Sequence, residues 1–298
     1  MPIRNIQVRA AVPDDIPGLV RLFGRHYAQH KPEAYFRWQF FSPEMPAALV
    51  VAEAAGEVVG SFGFMKRALT HGLRAAQAMD MLLDGPFRGQ GIFARMAAQA
   101  AAAFPDVDVR LVLANRSGME AVVRRLGWAV VAQVPVYAVS ISGEAGADAS
   151  PEPSGADSGE EAVHIRYDEA AEAWRFAAHP VNRYHRLEAS GLRGYLKCFA
   201  DPGDFARRFG DILHVAPGAP GRREAWLRRA VEWFRAEGVA EGGLWSLPGR
   251  PWAETALRVG FMPREQERWL CVQEMGGQSC EALRSRRWDV CAADAEFY

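Results

Sequence analysis

A short apolar segment, a glycine-rich turn and an alanine-rich segment follow one another between residues 78 and 104. Residues 78–83 (Ala-Met-Asp-Met-Leu-Leu) predict a mostly buried strand, and residues 92–104 place their polar positions at helical spacing. Gly89 and Gly91 lie in the turn between them, where the absence of side chains lets the main chain approach a ligand closely. Since the first turn of a helix offers unbonded amides and the positive end of its dipole, this segment predicts a pyrophosphate site.

Two other interpretations of the turn stay open. Gly89-x-Gly91-x-x-Ala94 also fits the dinucleotide fingerprint, which should close the first strand of a βαβ unit and precede an acid at the end of the next strand. Here the turn follows several predicted strands, and Asp108 begins the next strand instead of ending it. The other alternative is a glycine turn with a purely structural role.

Three sequence patterns of the first half recur in the same order in the second half. The paired segments are residues 38–43 and 174–180, 52–60 and 187–194, and 125–128 and 258–261. Their spacing is also kept, because Trp38 and Gly127 are 89 positions apart and Trp174 and Gly260 are 86 apart. The chain is therefore predicted to contain two copies of one fold.

The second copy lacks the glycine-rich turn. Residues 223–237 predict an amphipathic helix and residues 243–247 a strand, but the segment before that helix, 216–222, reads Ala-Pro-Gly-Ala-Pro-Gly-Arg. Because proline has no main-chain N–H, this segment removes amides that an anion would need. We predict that the second copy is degenerate and binds no cofactor.

Composition limits the classes of protein without choosing among them. The chain has 298 residues, 49% of them hydrophobic, which is enough for two cores. Residues 142–162 are rich in Gly, Ser, Ala and Pro and contain no Lys or Arg, so they predict a disordered acidic linker between domains at 1–141 and 163–298. The formal net charge of −1 and the lack of a basic cluster argue against a nucleic-acid partner.

The sequence lacks the patterns that would indicate a membrane protein, a metal site or a covalent nucleophile. The sequence has no apolar run of membrane-spanning length and no leader pattern, so we expect no membrane partner and a cytoplasmic protein. The four cysteines fit neither a metal knuckle nor a disulfide framework, which predicts reduced thiols. His26 and His30 are four residues apart, but no third ligand is indicated, and we predict no metal site. A Gly-x-Ser-x-Gly elbow is missing, which argues against covalent catalysis.

Residues 88–93, Arg-Gly-Gln-Gly-Ile-Phe, resemble the acyl-CoA-binding motif of the GNAT (Gcn5-related N-acetyltransferase) superfamily. The chain departs from the motif at Phe93, where the family has a small residue. Three further segments resemble elements of the family in the family's order: the first strand with its turn at 9–15, the early hairpin at 50–60, and the late strand and helix at 115–128. The resemblance implies an α/β (α+β) fold of two GNAT-like domains, each a mixed, mostly antiparallel central sheet flanked by helices.

The resemblance also implies how the co-substrate acetyl-CoA would be held. Its pantetheine arm would pair with the main chain of Met81, Leu82 and Leu83, which offers an amide to the thioester oxygen, and Asn115 would help to fix the arm. The pyrophosphate would be held by the motif itself, that is by Arg88, Gly89, Gln90, Gly91, Ile92 and Phe93. Where the family often has a tyrosine that protonates the departing thiolate, the chain has Val123.

Direct acyl transfer needs a base for the amine, and Asp80 is the candidate. It precedes the three cofactor-pairing residues on the same strand and is flanked by apolar residues. Glu53 and His71 are alternative bases, and an ordinary hydrogen-bonded strand acid is the alternative role of Asp80. The predicted function is an acetyl-CoA-dependent N-acetyltransferase that acts on the amine of a small molecule, sugar or peptide. The alternative, which Val123 and Phe93 favour, is a non-catalytic CoA-binding or regulatory module. The sequence predicts neither the acceptor nor the oligomeric state.

Overall fold

The computed structural model describes residues 6–27, 31–141, 162–201, 203–275 and 286–295. The predicted linker at 142–162 lies outside the described residues except for Ala162, and His30 and Cys280 also lie outside them. The helices are α1 (Ile16–His26), α2 (Glu33–Phe40), α3 (Ile92–Ala101), α4 (Arg116–Leu126), α5 (Glu169–Glu172), α6 (Pro220–Ala236) and α7 (Pro251–Arg258). The strands are β1 (Ile6–Ala10), β2 (Ala47–Ala54), β3 (Glu57–Ala68), β4 (Arg74–Leu83), β5 (Val109–Ala114), β6 (Ala129–Gln133), β7 (Val136–Ser140), β8 (His185–Ala189), β9 (Leu192–Ala200), β10 (Arg208–Val215), β11 (Glu241–Trp245), β12 (Met262–Arg264) and β13 (Trp269–Glu274).

The strands form two mixed sheets, which confirms the predicted fold class. The first sheet has seven strands in the order β1-β2-β3-β4-β5-β13-β6, and the second has six in the order β12-β7-β11-β10-β9-β8. The pairs β4–β5 and β10–β11 are parallel, and the pairs that flank them, β3–β4 with β5–β13 and β9–β10 with β11–β7, are antiparallel. Both sheets therefore have one parallel pair among antiparallel neighbours.

The first compact unit comprises Met1–Val131, Ile165–Asn182 and Trp269–Ser285. Its sheet has apolar side chains on both faces, because the adjacent residues Val50 and Val51 belong to different core clusters. The cluster of Val51 includes buried residues of α1 and α2, and the cluster of Val50 includes buried residues of α3 and α4. Helices thus cover both faces of the first sheet.

The second compact unit comprises Ala132–His164, Arg183–Arg268 and Arg286–Tyr298. The predicted helix at 223–237 forms α6 at Pro220–Ala236, and the predicted strand at 243–247 forms β11 at Glu241–Trp245. Trp226, Ala230 and Phe234 share one side of α6 and are fully buried in the core of this unit.

Each unit contains strands from both halves of the sequence. Strand β13, from the second half, lies in the first sheet between β5 and β6, and β7, from the first half, lies in the second sheet between β12 and β11. The last core strands of the two copies have therefore been exchanged. The predicted domains, 1–141 and 163–298, place β7 in the first domain and β13 in the second, whereas each strand lies in the sheet of the other unit.

The two copies share local geometry as well as sequence. In the β2–β3 hairpin Ala54 pairs with Glu57, and both turn residues between them, Ala55 and Gly56, have positive φ angles of 53° and 80°. The β8–β9 hairpin has the same two-residue turn at Ser190 and Gly191, with φ angles of 53° and 71°. Positive φ at both turn residues is the requirement of a type I′ turn, which matches the twist of paired strands.

The two tryptophans that the repeat pairs with each other are in contact within the first unit. The rings of Trp38 and Trp174 stack with centroids 4.3 Å apart and an interplanar angle of 9°. Trp38 Nε1 donates to the carbonyl oxygen of Trp174 at 3.0 Å, and Trp174 Nε1 donates to that of Trp38 at 3.3 Å. These reciprocal bonds satisfy both indole donors in the interior, so the pair is structural.

Candidate functional site

Strand β4 contains a bulge that includes Met81, the first of the predicted cofactor-pairing residues. Ser61 pairs with Leu82 and Gly63 pairs with Met79, so two residues of β4, Asp80 and Met81, lie opposite one residue of β3. Asp80 has a φ of 50°, a left-handed conformation that Asp adopts more readily than most residues. The main-chain oxygen of Asp80 accepts a hydrogen bond from Ser61 Oγ at 2.6 Å, which fixes the bulge to β3.

Strands β4 and β5 pair over part of their length. Their parallel pairing runs from Ala75 with Val109 to Gln77 with Leu111, and in these fully described strands it stops there, although β4 continues to Leu83 and β5 to Ala114. The carboxyl ends of the two strands are therefore separate from each other. Ligands of α/β proteins bind at such openings, where main-chain groups of neighbouring strands are not used by each other.

The glycine-rich turn follows β4 and leads into α3. Gly89 and Gly91 have φ angles of 79° and 74°, and a Cβ atom added at either position would meet no atom within 4 Å. Among the described residues, the main-chain amides of Gly89, Gln90 and Gly91 donate no hydrogen bond. The turn is exposed, and its amides lie directly before the first turn of α3, at the positive end of the helix dipole. The arrangement suits an anion.

Side-chain contacts hold both ends of the turn. Arg88 Nε donates to the carbonyl oxygen of Leu83 at 2.9 Å, which connects the turn to the end of β4. At its start, Asp84 pairs with Arg25 at 2.7 Å and with His26 Nε2 at 2.5 Å, both from the last turn of α1. The sequence did not indicate the contacts of Asp84. His26 is thus a partner of the turn.

Two further predicted cofactor residues, Asn115 and Phe93, have contacts of their own. Asn115 follows β5 and caps α4, where its Oδ1 accepts from the amide of Gly118 at 2.9 Å and from Ser117 Oγ at 3.0 Å. The half-buried ring of Phe93 packs edge-on against Phe62 with centroids 5.3 Å apart. The large side chain at position 93 therefore contacts the core beneath the turn.

The candidate base Asp80 is buried, with 1% of its surface exposed. Its Oδ1 forms an ion pair with the ammonium group of Lys31, which is 8% exposed and comes from the segment between α1 and α2. The Lys31 nitrogen also lies 4.8 Å from the ring centre of Phe23 and 4.7 Å from that of Tyr35. Sequence patterns did not indicate Lys31, because its partner is 49 positions away and no periodicity connects them.

The two alternative bases have different surroundings. Glu53 Oε2 pairs with Arg9 Nη2 at 2.7 Å, and the same guanidinium pairs with Asp15 at 2.6 Å. The side-chain hydrogen bond from Arg9 holds the pKa of Asp15 below its ordinary value. His71 lies in an exposed turn between β3 and β4, at the opposite end of β4 from Asp80. Neither residue adjoins the bulge or the glycine-rich turn.

In the second unit, a segment of the same chain occupies the region that corresponds to the opening. Strands β10 and β11 pair in parallel up to Ile212 and Leu244, and β10 has its own register shift between Ile212 and His214. Beyond that point, residues 288–295 lie against both strand ends: Cys291 Sγ is 3.9 Å from His214 Nδ1, and Asp289 Oδ1 accepts from Ser246 Oγ at 3.0 Å. Ser246 follows β11 as Asn115 follows β5.

The described cysteines are thiols without disulfides. Burial raises the pKa of Cys198 to about 11 and that of Cys271 to about 12, and it raises the pKa of Cys291 well above its ordinary value. A thiolate, not a thiol, is the nucleophile in cysteine chemistry, so these three side chains are inert near neutral pH.

No described helix is long and apolar enough to cross a membrane. No group of three or more His, Cys, Asp or Glu side chains in the described ranges has the geometry to hold a metal ion.

The chain matches no protein-family model and no curated protein sequence. Among solved structures it is similar to a tandem GNAT protein from the clavulanic acid biosynthesis pathway, with 16% identity, a TM-score of 0.53 and coverage of 92% of this chain and 100% of that chain. A GCN5-related N-acetyltransferase from Kribbella flavida has 12% identity and a TM-score of 0.52, over 91% of this chain and 71% of that one. Saccharomyces cerevisiae N-myristoyltransferase with bound myristoyl-CoA has 9% identity and a TM-score of 0.57, over 96% and 85%.

These similarities extend over both halves of the chain. The chain has the GNAT fold, and it has it twice, as predicted from the glycine-rich motif and the internal repeat.

Proposed function

We propose that the chain is an acetyl-CoA-dependent N-acetyltransferase that transfers the acetyl group directly to the amine of a small molecule, sugar or peptide. The observation that carries this proposal is the set of unbonded amides at Gly89, Gln90 and Gly91, which lie at the end of β4. A diphosphate is the guest that suits them, since each amide can donate to a phosphate oxygen and the dipole of α3 adds to the attraction. Arg88 and the amides of Ile92 and Phe93 complete this site.

The pantetheine arm fits the opening between the ends of β4 and β5. In the described strands the pairing with β5 does not extend to Met81, Leu82 and Leu83, so main-chain groups on that side can pair with the amide groups of the arm. The carbonyl oxygen of Leu83 already accepts from Arg88. Asn115 lies at the end of the opposite wall. The similarity to an N-myristoyltransferase that holds myristoyl-CoA supports a CoA thioester in this fold.

The reaction follows from this placement. The amine nitrogen attacks the thioester carbonyl, and the negative charge on the oxygen is met by a main-chain amide near Met81. The carboxylate of Asp80 takes a proton from the amine through water. The C–S bond then breaks, the nitrogen keeps the acetyl group, and the CoA thiolate takes its proton from solvent because Val123 stands where a tyrosine donor would be.

Binding of acetyl-CoA tests the site. Gly91→Trp is expected to abolish the heat of acetyl-CoA binding in calorimetry, since a large side chain would cover the amides and the left-handed backbone would be strained. Gly72→Trp is the matched control, because Gly72 belongs to the same unit, has a φ of 70° and also has open space at Cβ. The control is expected to bind as the unchanged chain does.

Two results would contradict the proposed site. Absence of heat with the unchanged chain would exclude a CoA site in either half. Equal loss of heat in the Gly91 and Gly72 variants would mean that strain, and not cover of the amides, explains the effect. If acetyl-CoA binds, a mass-spectrometric screen of amines supplied with acetyl-CoA identifies the acceptor class.

Val123 favours a second candidate function, a CoA-binding or regulatory module without turnover. Val123 is half-buried on α4 and packs against the core. Because valine has no hydroxyl group, it cannot protonate the departing thiolate as a tyrosine at this position would. This candidate predicts heat in calorimetry with no acetylated product and no release of CoA. The enzyme, in contrast, is expected to give an acetylated product and to release CoA.

A further inference from the structure

Lys31 is a buried lysine whose ammonium group is held by three side chains. It forms the ion pair with Asp80 Oδ1, lies between the rings of Phe23 and Tyr35, and is 3.5 Å from the hydroxyl oxygen of Tyr35. Removing an ammonium from water is costly, and the carboxylate and the two ring faces offset that cost. Together the three side chains fix the position of the Lys31 ammonium group.

The partners of Lys31 connect it to the chemistry of the proposed site. Asp80 is the first of the two bulged residues of β4, and Met81, whose main chain meets the thioester, is the second. The Asp80 backbone is fixed by its left-handed conformation and by Ser61, so the carboxylate direction depends on χ1, χ2 and what binds its oxygens. The ammonium holds one of those oxygens, Oδ1.

We propose that Lys31 is a positioning residue for acyl transfer: through the ion pair with Oδ1, its ammonium holds the Asp80 carboxylate at the bulge in the orientation from which it receives the amine proton through water. The inference depends on the proposed function. Lys31 keeps its three protons throughout the reaction and takes part in no covalent step. Asp80 receives the amine proton through water, and the bonds that form and break are those already described.

Four variants test the role. Lys31→Met removes the ammonium but keeps the aliphatic chain, Lys31→Arg keeps a positive charge, Asp80→Asn removes the base, and the fourth combines Lys31→Met with Asp80→Asn. Each is assayed for acetyl-CoA binding by calorimetry and for turnover by release of the CoA thiol. Thiol release counts transfer to a supplied amine and hydrolysis of the thioester alike, so it needs no knowledge of the natural acceptor. An aminosugar and a polyamine serve as probe amines.

The expected result separates kcat from KM. Lys31→Met lowers kcat about 10- to 100-fold, less than the roughly 100- to 10,000-fold that a complete general base contributes because Asp80 is still present, while KM for acetyl-CoA stays the same because the phosphate and pantetheine contacts are intact. Lys31→Arg recovers most of kcat. The double variant is no slower than Asp80→Asn alone, since Lys31 acts only through Asp80.

The outcomes that overturn the inference differ from those that overturn the proposed function. Turnover of Lys31→Met equal to that of the unchanged chain, or loss of acetyl-CoA binding in that variant, overturns the positioning role. If Lys31→Met does not fold, the milder Lys31→Gln takes its place, and failure of both to fold shows a structural role and also overturns it. An unchanged chain that binds acetyl-CoA but releases no thiol overturns it too. An unchanged chain that binds no acetyl-CoA overturns the proposed function instead.

Discussion

At the scale of single residues, two buried aspartates on the central parallel pairs have opposite surroundings. Asp80 on β4 has an ammonium partner, whereas Asp211 on β10 forms no ion pair among the described residues. Burial raises the pKa of Asp211 to about 7, and the positive charge of Lys197 opposes that shift only in part. The sequence did not distinguish these acids, because each lies in an apolar strand. Their partners come from other elements of the fold.

Asp211 predicts a dependence of stability on pH. The folded state binds its proton more tightly than the unfolded state does, so the stability that this group contributes is complete below its ordinary pKa of 3.8 and is lost as pH rises through about 7. Asp211→Asn does not titrate, and we expect it to stabilise the protein by about 1 kcal/mol more at pH 8 than at pH 6. Denaturant unfolding at the two pH values measures the difference. The exposed Asp204→Asn is the control, and a gain from Asp211→Asn that is equal at both pH values would contradict the pKa.

At the scale of elements, local patterns predicted the succession of β4, the glycine-rich turn and α3 in the first unit. The glycine-rich turn and α3 were predictable because glycine with positive φ and helical spacing are properties of neighbouring residues. The helix predicted at 92–104 is observed at Ile92–Ala101. The residues after it form a turn, because the amides of Ala103 and Phe104 donate to the carbonyl oxygens three residues earlier and not four. The role of residues 288–295 was not predictable, because a short irregular segment has no period and its position depends on β10 and β11.

The segment 288–295 is expected to be essential to the second unit. Trp288 is 2% exposed, and Val163 forms main-chain hydrogen bonds with the residues on either side of it. Trp288→Ala is expected to lower the free energy of unfolding by about 3–5 kcal/mol, the range for loss of a large buried aromatic side chain. Phe205→Ala is the control, because Phe205 is 81% exposed, and surface changes of this kind usually stay within about 0.5 kcal/mol. Similar small losses in both variants would show that the segment is only loosely attached.

At the scale of the whole molecule, the repeat was predictable and the strand exchange was not. Paired motifs such as Leu126-Gly127-Trp128 and Val259-Gly260-Phe261 are visible along the chain, and Gly127 and Gly260 both have positive φ after a helix. The local pattern of β13 or β7, in contrast, is that of a buried strand in either sheet, and only pairing with β5 or β11 assigns it. Pairing partners distant in sequence leave no local signal.

The exchange predicts how fragments of the chain behave. A fragment of residues 1–141 lacks β13 and the segment 165–182, so β5 would have an unpaired edge and Trp38 would lose its stacking partner. We expect this fragment to aggregate when produced alone and to form a folded complex when co-produced with residues 163–298. Circular dichroism and size-exclusion chromatography distinguish the two cases, and the full chain cut once between 141 and 162 is the control. A folded, monomeric 1–141 fragment would contradict the prediction.

The exchanged strand also bears on how such a gene can change over time. The second copy has prolines where the first has its glycine-rich turn, and residues 288–295 lie against the ends of its parallel strands, so the proposed cofactor site belongs to the first copy alone. Strand β13 nevertheless comes from that copy and pairs along β5, the wall that ends in Asn115. A deletion of the second copy would therefore remove the strand that pairs with β5 in the first sheet. Under the proposed function, selection on the first copy preserves the second copy as well.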